Sequence, residues 1–250
     1  MSIQVQDSVV LVTGANRGIG RAIVEEAIAQ GAKKVYAAVR NVDSASDLVD
    51  KYGERVVPIH VDLDHPETIY RAAGEASDVQ IVVNNAGIAR PADVFSDDAL
   101  AQYEAEHRVN VLGWLHVAQA FSPVLQANGG GGLVQLNSVA SIKAFADFAT
   151  YSASKAASSS LTQAIREKGA ALGIQVVSVH PGPIKTDMAD DVGLGDIAES
   201  PSLVAKGIFQ ALRDETFHVF PDSMAQQFAT AYGDYAQNVI ESEMSEDAVS

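Results

Sequence analysis

Tyr151 and Lys155 stand one helical turn apart in the run Tyr151-Ser152-Ala153-Ser154-Lys155, thirteen residues after Ser138. Residues at i and i+4 share one helix face, so the phenol and the ammonium can address the same bound molecule. An ammonium beside a phenol favours the phenolate and lowers a pKa that otherwise lies near ~10. A tyrosine tuned in this way can pass a proton in either direction. Alone the pair is a weak signal, because the spacing recurs by chance in exposed helices. Its surroundings give it weight.

Thr13-Gly14-Ala15-Asn16-Arg17-Gly18-Ile19-Gly20 joins the apolar run Val9 to Val12 to a segment of helical periodicity. Glycines at a strand-to-helix turn let the backbone approach a pyrophosphate. The helix N-terminus behind the turn offers free N–H groups and the positive end of its dipole. The strand before and helix after are the context such a loop needs. Arg40 follows the second strand-like run, where the adenosine ribose lies in dinucleotide folds. An arginine there accommodates a 2′-phosphate, whereas an acid binds the 2′-hydroxyl. Val39 stands where the acid would be and Arg17 offers a second cation, so the expected cofactor is NADPH/NADP+. Asp62, ending the third run, reads equally as an acceptor for the adenine amino group and as a turn acid before His65-Pro66.

The elements that must position these groups alternate along the chain. Strands are expected at Val9–Val12, Lys34–Val39, Val56–Val61, Gln80–Asn84, Leu133–Ser138, Gln175–His180 and Phe217–Phe220. Helices are expected between them, notably Gly20–Gln30, Asp97–Gln126, Tyr151–Leu172 and Pro201–Asp214. Continuous apolar strands alternating with helices predict an α/β fold: a Rossmann-type, doubly wound, seven-stranded parallel sheet in a single domain spanning 1–250. Gly129-Gly130-Gly131-Gly132 reads as a surface turn. Ile184–Ser200 has no clear periodicity and follows a strand, which makes it a candidate substrate lid. Ala225–Ile240 reads as a helix with Phe228, Tyr232 and Tyr235 on one side, for core or subunit packing. Residues 241–250 read as a flexible acidic tail.

Bulk composition narrows the classes. Of 250 residues, 47% are hydrophobic and 20% charged, as in globular proteins, and no apolar run approaches a membrane span. The N-terminus carries no leader-like segment, which points to a cytoplasmic protein. There is no cysteine, so disulfides, thiolate metal sites and cysteine nucleophiles are excluded, and no metal site is expected. A net charge of -15 without a basic patch argues against nucleic acid and membrane partners.

Together these residues resemble the short-chain dehydrogenase/reductase family. The resemblance rests on Thr13-Gly14-x-x-x-Gly18-Ile19-Gly20, Asn84-Asn85-Ala86-Gly87, Asn110 inside a helix, Ser138, Tyr151-x-x-x-Lys155, and Pro181-Gly182 with Thr186, in that order. It implies a hydrogen bond from Ser138 to a substrate carbonyl oxygen and proton delivery by Tyr151. It implies that Lys155 binds the nicotinamide ribose and that Asn110 holds a relay water. It also implies a cofactor surface of Gly14, Asn16, Arg17, Gly18, Ile19, Gly20, Arg40, Asp62, Leu63, Asn85, Ala86, Gly87, Pro181, Gly182, Ile184 and Thr186, completed by Tyr151 and Lys155. Family members pair their long helices into dimers or tetramers, and the small-residue run Ala156–Ser160 would allow this. Asn137 and His180 depart from the commoner serine and asparagine.

The expected activity is reversible, NADPH-dependent reduction of a ketone or aldehyde to an alcohol. Ala140, Phe145, Phe148 and Met188, with Ile184, flank the catalytic positions and suggest an apolar pocket for a hydrophobic carbonyl compound. A 3-oxoacyl-thioester reductase shares the same motifs, although docking to an acidic carrier needs a basic surface. A non-catalytic NADPH-binding regulatory module is the alternative of another class.

Overall fold

The structure, a computed structural model, describes residues 2–241. Seven strands form one all-parallel sheet. They are β1 (Val9–Thr13), β2 (Lys34–Val39), β3 (Val56–His60), β4 (Ile81–Asn84), β5 (Gly131–Leu136), β6 (Ile174–Val179) and β7 (His218–Val219). Their order is β3-β2-β1-β4-β5-β6-β7. The order reverses between β1 and β4, and this opens a crevice at their carboxyl ends, where ligands bind in such sheets.

Both sheet faces are covered, as the apolar strands demand. On one face α1 (Gly18–Ala29) and α8 (Pro201–Asp214) pack side by side over Val10, Val12, Val35, Val83, Val134 and Val177. On the other face α3 (Pro66–Glu75) and α5 (Gly113–Ala127) cover Val9, Leu11, Val82, Leu133 and Val176 with Ile69, Trp114 and Phe121. The long helix α6 (Ala149–Ala170) lies against β6 on that second face. The remaining helices are α2 (Ser46–Tyr52), α4 (Ala99–Glu106), α7 (Asp187–Asp191) and α9 (Ser223–Tyr235).

Four expectations need correction. The fifth strand runs Gly131–Leu136, two residues earlier than periodicity suggested, so half of the tetraglycine patch is strand. A Cβ on Gly131 would collide with the Gln80 carbonyl, so glycine is what lets this strand begin so close to its neighbour. The seventh strand is only two residues long. The helix expected over Asp97–Gln126 is interrupted by a π turn, His107–Leu112, between α4 and α5. Lastly, the Ile184–Ser200 segment, read as having no periodicity, contains a helix at Asp187–Asp191 and is tied at its ends. Ile184 bridges Glu199, and the Lys185 N–H donates to the Glu199 carbonyl.

The acidic tail lies outside the described residues except Glu241, which pairs with Arg166 at 3.7 Å. Among the described residues no helix is long and apolar enough to cross a membrane. No cluster of three or more His, Asp or Glu among them could hold a metal ion.

Candidate active site

On the face covered by α5 and α6, the strands turn polar as they approach their carboxyl ends. Leu11 is followed on that face by Thr13, Val82 by Asn84, Leu133 by Gln135, and Val176 by Ser178 and His180. All are buried. Thr13 Oγ1 donates to Asn84 Oδ1 (3.0 Å), Asn84 Nδ2 to Gln135 Oε1 (2.8 Å), and Gln135 Nε2 to Ser158 Oγ on α6 (3.0 Å). Asn137 Nδ2 donates to Ser178 Oγ (2.9 Å). Helix α6 therefore rests on hydrogen bonds where helices elsewhere rest on aliphatic side chains. Such a buried network favours one register, because any slip strands its polar groups; within it Asn137 Oδ1 has no partner. Gln135 and Ser178 stand outside the residues singled out from the sequence, and Ser158 entered only as part of the small-residue run Ala156–Ser160. The available signal was polar residues at period two inside otherwise apolar strands.

This floor carries the four predicted catalytic residues, and the structure brings them together. Lys155 is buried and its Nζ donates to the Leu136 carbonyl at 2.7 Å. Asn110 is buried within the π turn, a helix irregularity that often marks functional positions. Its amide clamps Ile88 from both sides: Nδ2 donates to the Ile88 carbonyl (2.9 Å), and Oδ1 accepts the Ile88 N–H (3.0 Å). Nδ2 also donates to Ser154 Oγ on α6 (3.0 Å). Gly87 sits between Asn110 and Lys155. A Cβ there would lie 3.0 Å from Asn110 Oδ1 and 3.6 Å from Lys155 Nζ. Ser138 caps the turn after β5, its Oγ accepting the Ala140 N–H at 3.1 Å, and it also bonds Tyr151.

Electrostatics at Tyr151 reverse the expectation drawn from spacing alone. Burial pushes the phenol up to about 12, and the hydrogen bond to Ser138 only partly offsets this. The Lys155 ammonium lies 5.8 Å from the Tyr151 ring centroid and is engaged with Leu136, so its pull does not prevail. Burial also lowers Lys155 to about 8, against a raising influence from Glu106. The protein alone thus holds Tyr151 as a neutral phenol, the form that can donate a proton.

His180, the departure noted in the sequence, is fully buried beside this centre. Its Nδ1 lies 3.0 Å from Ser141 Oγ, whose proton goes to the Ser138 carbonyl; Nδ1 therefore carries the hydrogen. Nε2 is then the acceptor, with Ser178 Oγ at 2.9 Å and His218 Nδ1 at 3.1 Å sharing its one lone pair. Burial holds His180 at about 3 and His218 at about 4, so both rings are neutral at pH 7.

The nucleotide side fits a dinucleotide. Gly14 and Gly18 adopt φ of +65° and +53°, which favour glycine. A Cβ on Gly20 would strike the Gly14 carbonyl. Asn85 and Ala86 hang from Thr13 through backbone N–H bonds of 3.0 Å each. Ile19 packs against the core beneath the loop, and Asn16 is half-buried within it. Arg40 is exposed directly after β2. Arg17, by contrast, is not free: its Nη1 donates to Asp187 Oδ2 at 2.6 Å, across the crevice. Asp62 accepts the Asp64 N–H at 3.1 Å within its turn and lies 3.3 Å from His65 Nδ1. The side chains of Leu63 and Ile184 are core. Thr186 caps α7 and touches the Gly18 position. Pro181 takes its place through Ser138, and Gly182 through Asp222, whose Oδ2 accepts its N–H at 2.7 Å.

The expected apolar pocket is only partly assembled. Ala140 is buried, Phe145 and Phe148 are half-buried, and Met188 is 39% exposed. A cleft of about 500 Å³ lies on the α7 side, lined by Lys185, Thr186, Asp187, Asp190, Gly195 and Asp196. None of the expected aromatic residues lines it.

The short chain dehydrogenase family pattern matches residues 8–196, three quarters of the chain. This chain belongs to the short-chain dehydrogenase family. A short chain dehydrogenase from Burkholderia cenocepacia, solved in complex with NADP, superposes with a TM-score of 0.86. That match is 34% identical and covers 95% of this chain and 97% of the other. Oxidoreductase BOA17 from Botryotinia fuckeliana is 31% identical over 71% of this chain and 66% of its own. An NADP-dependent 3-hydroxy acid dehydrogenase from Schizosaccharomyces pombe is 28% identical over 72% and 73%. Membership makes this chain an oxidoreductase.

Proposed function

We propose that this short-chain dehydrogenase reduces a ketone or aldehyde to an alcohol with NADPH, and runs the reverse oxidation when product is in excess. The observation that carries the reading is the meeting of Ser138, Tyr151, Lys155 and Asn110 at the sheet edge beside the Gly14–Gly20 turn.

Bound there, NADPH supplies the hydride. Negative charge grows on the carbonyl oxygen as the carbon is reduced. Ser138 Oγ donates a hydrogen bond to that oxygen, and Tyr151 gives it the proton that completes the alcohol. A phenol held at about 12 remains protonated until an alkoxide forms, so the transfer is downhill when it is needed. Lys155, kept charged below about 8, stabilises the phenolate that is left and hydrogen-bonds the nicotinamide ribose. Asn110 maintains the loop wall at Ile88 and, with Gly87 leaving its amide open toward Lys155, would hold the water that returns protons to Lys155. Arg40 supports NADPH over NADH, since no carboxylate takes that position. The B. cenocepacia relative, bound to NADP, supports the same choice.

A panel of ketones, aldehydes and hydroxy acids, assayed with both cofactors, tests the reading. Efficient reduction of hydrophobic carbonyls with NADPH is expected. Preference for 3-hydroxy acids would move the substrate toward that of the yeast relative. Tyr151→Phe should retain cofactor binding and lose turnover by about 10²-fold or more; near wild-type activity would refute the mechanism. The exposed row Ala153, Ala156, Ser160 and Ala164 on α6 supports association with a second copy of the chain.

A further inference from the structure

Glu106 ends α4 one turn before Asn110 and has no solvent exposure. Its Oε1 accepts the Arg90 N–H at 2.7 Å, two residues beyond the Ile88 that Asn110 clamps. One helix face thus grips the loop after β4 at two alternate residues. Its other oxygen, Oε2, is buried and faces Thr150 Oγ1, next to Tyr151 on α6, but neither atom makes a well-formed hydrogen bond. Burying a carboxylate with an open lone pair costs stability that a neutral residue of the same shape would spare. Nothing in the reduction chemistry above employs Glu106.

We propose that Glu106 is a positioning residue of the active site. From the turn before Asn110 its carboxylate holds the Arg90 backbone and, facing Thr150, imposes a fixed negative charge on Tyr151 and Lys155. That charge opposes formation of the phenolate and favours the ammonium, and both effects are felt at those residues. Burial raises the Glu106 carboxyl above its usual range. The Arg90 N–H, Thr150, and the charges of Arg90 and Lys155 pull it back. The groups facing it are therefore Arg90 from the loop after β4 and Thr150, Tyr151 and Lys155 from α6. The consequence is a site biased toward proton donation, that is, toward carbonyl reduction.

The inference rests on the carbonyl-reductase reading, and its test separates the two. Glu106→Gln keeps an oxygen for the Arg90 N–H and removes the charge. In that variant the pH profile of kcat/KM for alcohol oxidation should move to lower pH by roughly half a unit or more. The Lys155 ammonium, followed by NMR in lysine-labelled protein, should lose its proton at correspondingly lower pH. Glu106→Asp, which keeps the charge, should leave both near the wild-type position. A Glu106→Gln enzyme with reduced kcat or Tm but an unmoved pH profile and Lys155 titration would reduce Glu106 to a structural residue and overturn the proposal. If wild type turned over no carbonyl, the functional reading would fail, and the Lys155 titration would still decide the role of Glu106.

Discussion

Lys155 Nζ donates to the Leu136 carbonyl oxygen at 2.7 Å, which ties the second turn of α6 to the last residue of β5. The bond holds a buried ammonium at the sheet edge, and its geometry decides what replacing Lys155 will do. Lys155→Met removes the charge and keeps most of the volume. The Leu136 carbonyl loses a donor, at about 1–3 kcal/mol, while the cost of burying an ammonium disappears. These oppose each other, so Tm should stay within a few degrees. Activity should fall by about 10²-fold or more, because only the Ser138 hydrogen bond is then left to support the Tyr151 phenolate. Circular dichroism melting and steady-state kinetics check both halves.

Arg40 and Arg17 differ in availability, which predicts a ranking. Arg40→Ser should lower kcat/KM for NADPH roughly tenfold and leave NADH little changed, as expected for loss of one charge-assisted phosphate contact. Arg17→Ala should cost less, since Arg17 is engaged with Asp187. Raising ionic strength should narrow the difference between wild type and Arg40→Ser, because the contact is exposed to screening.

The His180–His218 pair predicts loss of stability in acid. In the unfolded chain both rings take protons near pH ~6.5, whereas burial holds them at about 3 and about 4 in the folded protein. A depressed folded pKa means that the contribution is complete above the unfolded value and is lost as pH falls toward the folded one. His180 alone should cost about 2 kcal/mol between pH 6.5 and 5. Urea unfolding at pH 7, 6 and 5 measures the slope, and His180→Asn should flatten it.

Glycines separate by what surrounds them. Gly20→Ala would drive its Cβ into the Gly14 carbonyl and to 2.7 Å from Asn85 Nδ2, so nucleotide affinity should drop by tenfold or more and Tm should fall. Gly74 lies within α3, with nothing within 4 Å of an added Cβ. Gly74→Ala should raise stability by about 0.5–1 kcal/mol, since glycine wastes helix entropy there. Opposite signs from the same substitution, read by nucleotide titration and thermal melting, are the expected result.

Local pattern made much of this protein legible in one dimension. The apolar run at Lys34–Val39 forms a strand with the expected bounds, that at Val9–Val12 forms one extended by Thr13, and Pro201 and Asp214 delimit α8. Capping proline, β-branched runs and glycine turns act within a few residues, so the sequence alone establishes them. Tyr151, Lys155, Ser138 and Asn110 were identifiable because their types and order carry the family pattern. The strand order belongs to tertiary structure, as do the polar floor of Asn84, Gln135 and Ser158 and the π turn around Asn110. Each depends on contacts between residues tens of positions apart. Tyr151 shows the division most clearly. Its spacing from Lys155 predicts a lowered pKa, because spacing reports a neighbour's charge. Only the fold reveals how much water the phenol has lost, and that loss raises its pKa and keeps Tyr151 protonated.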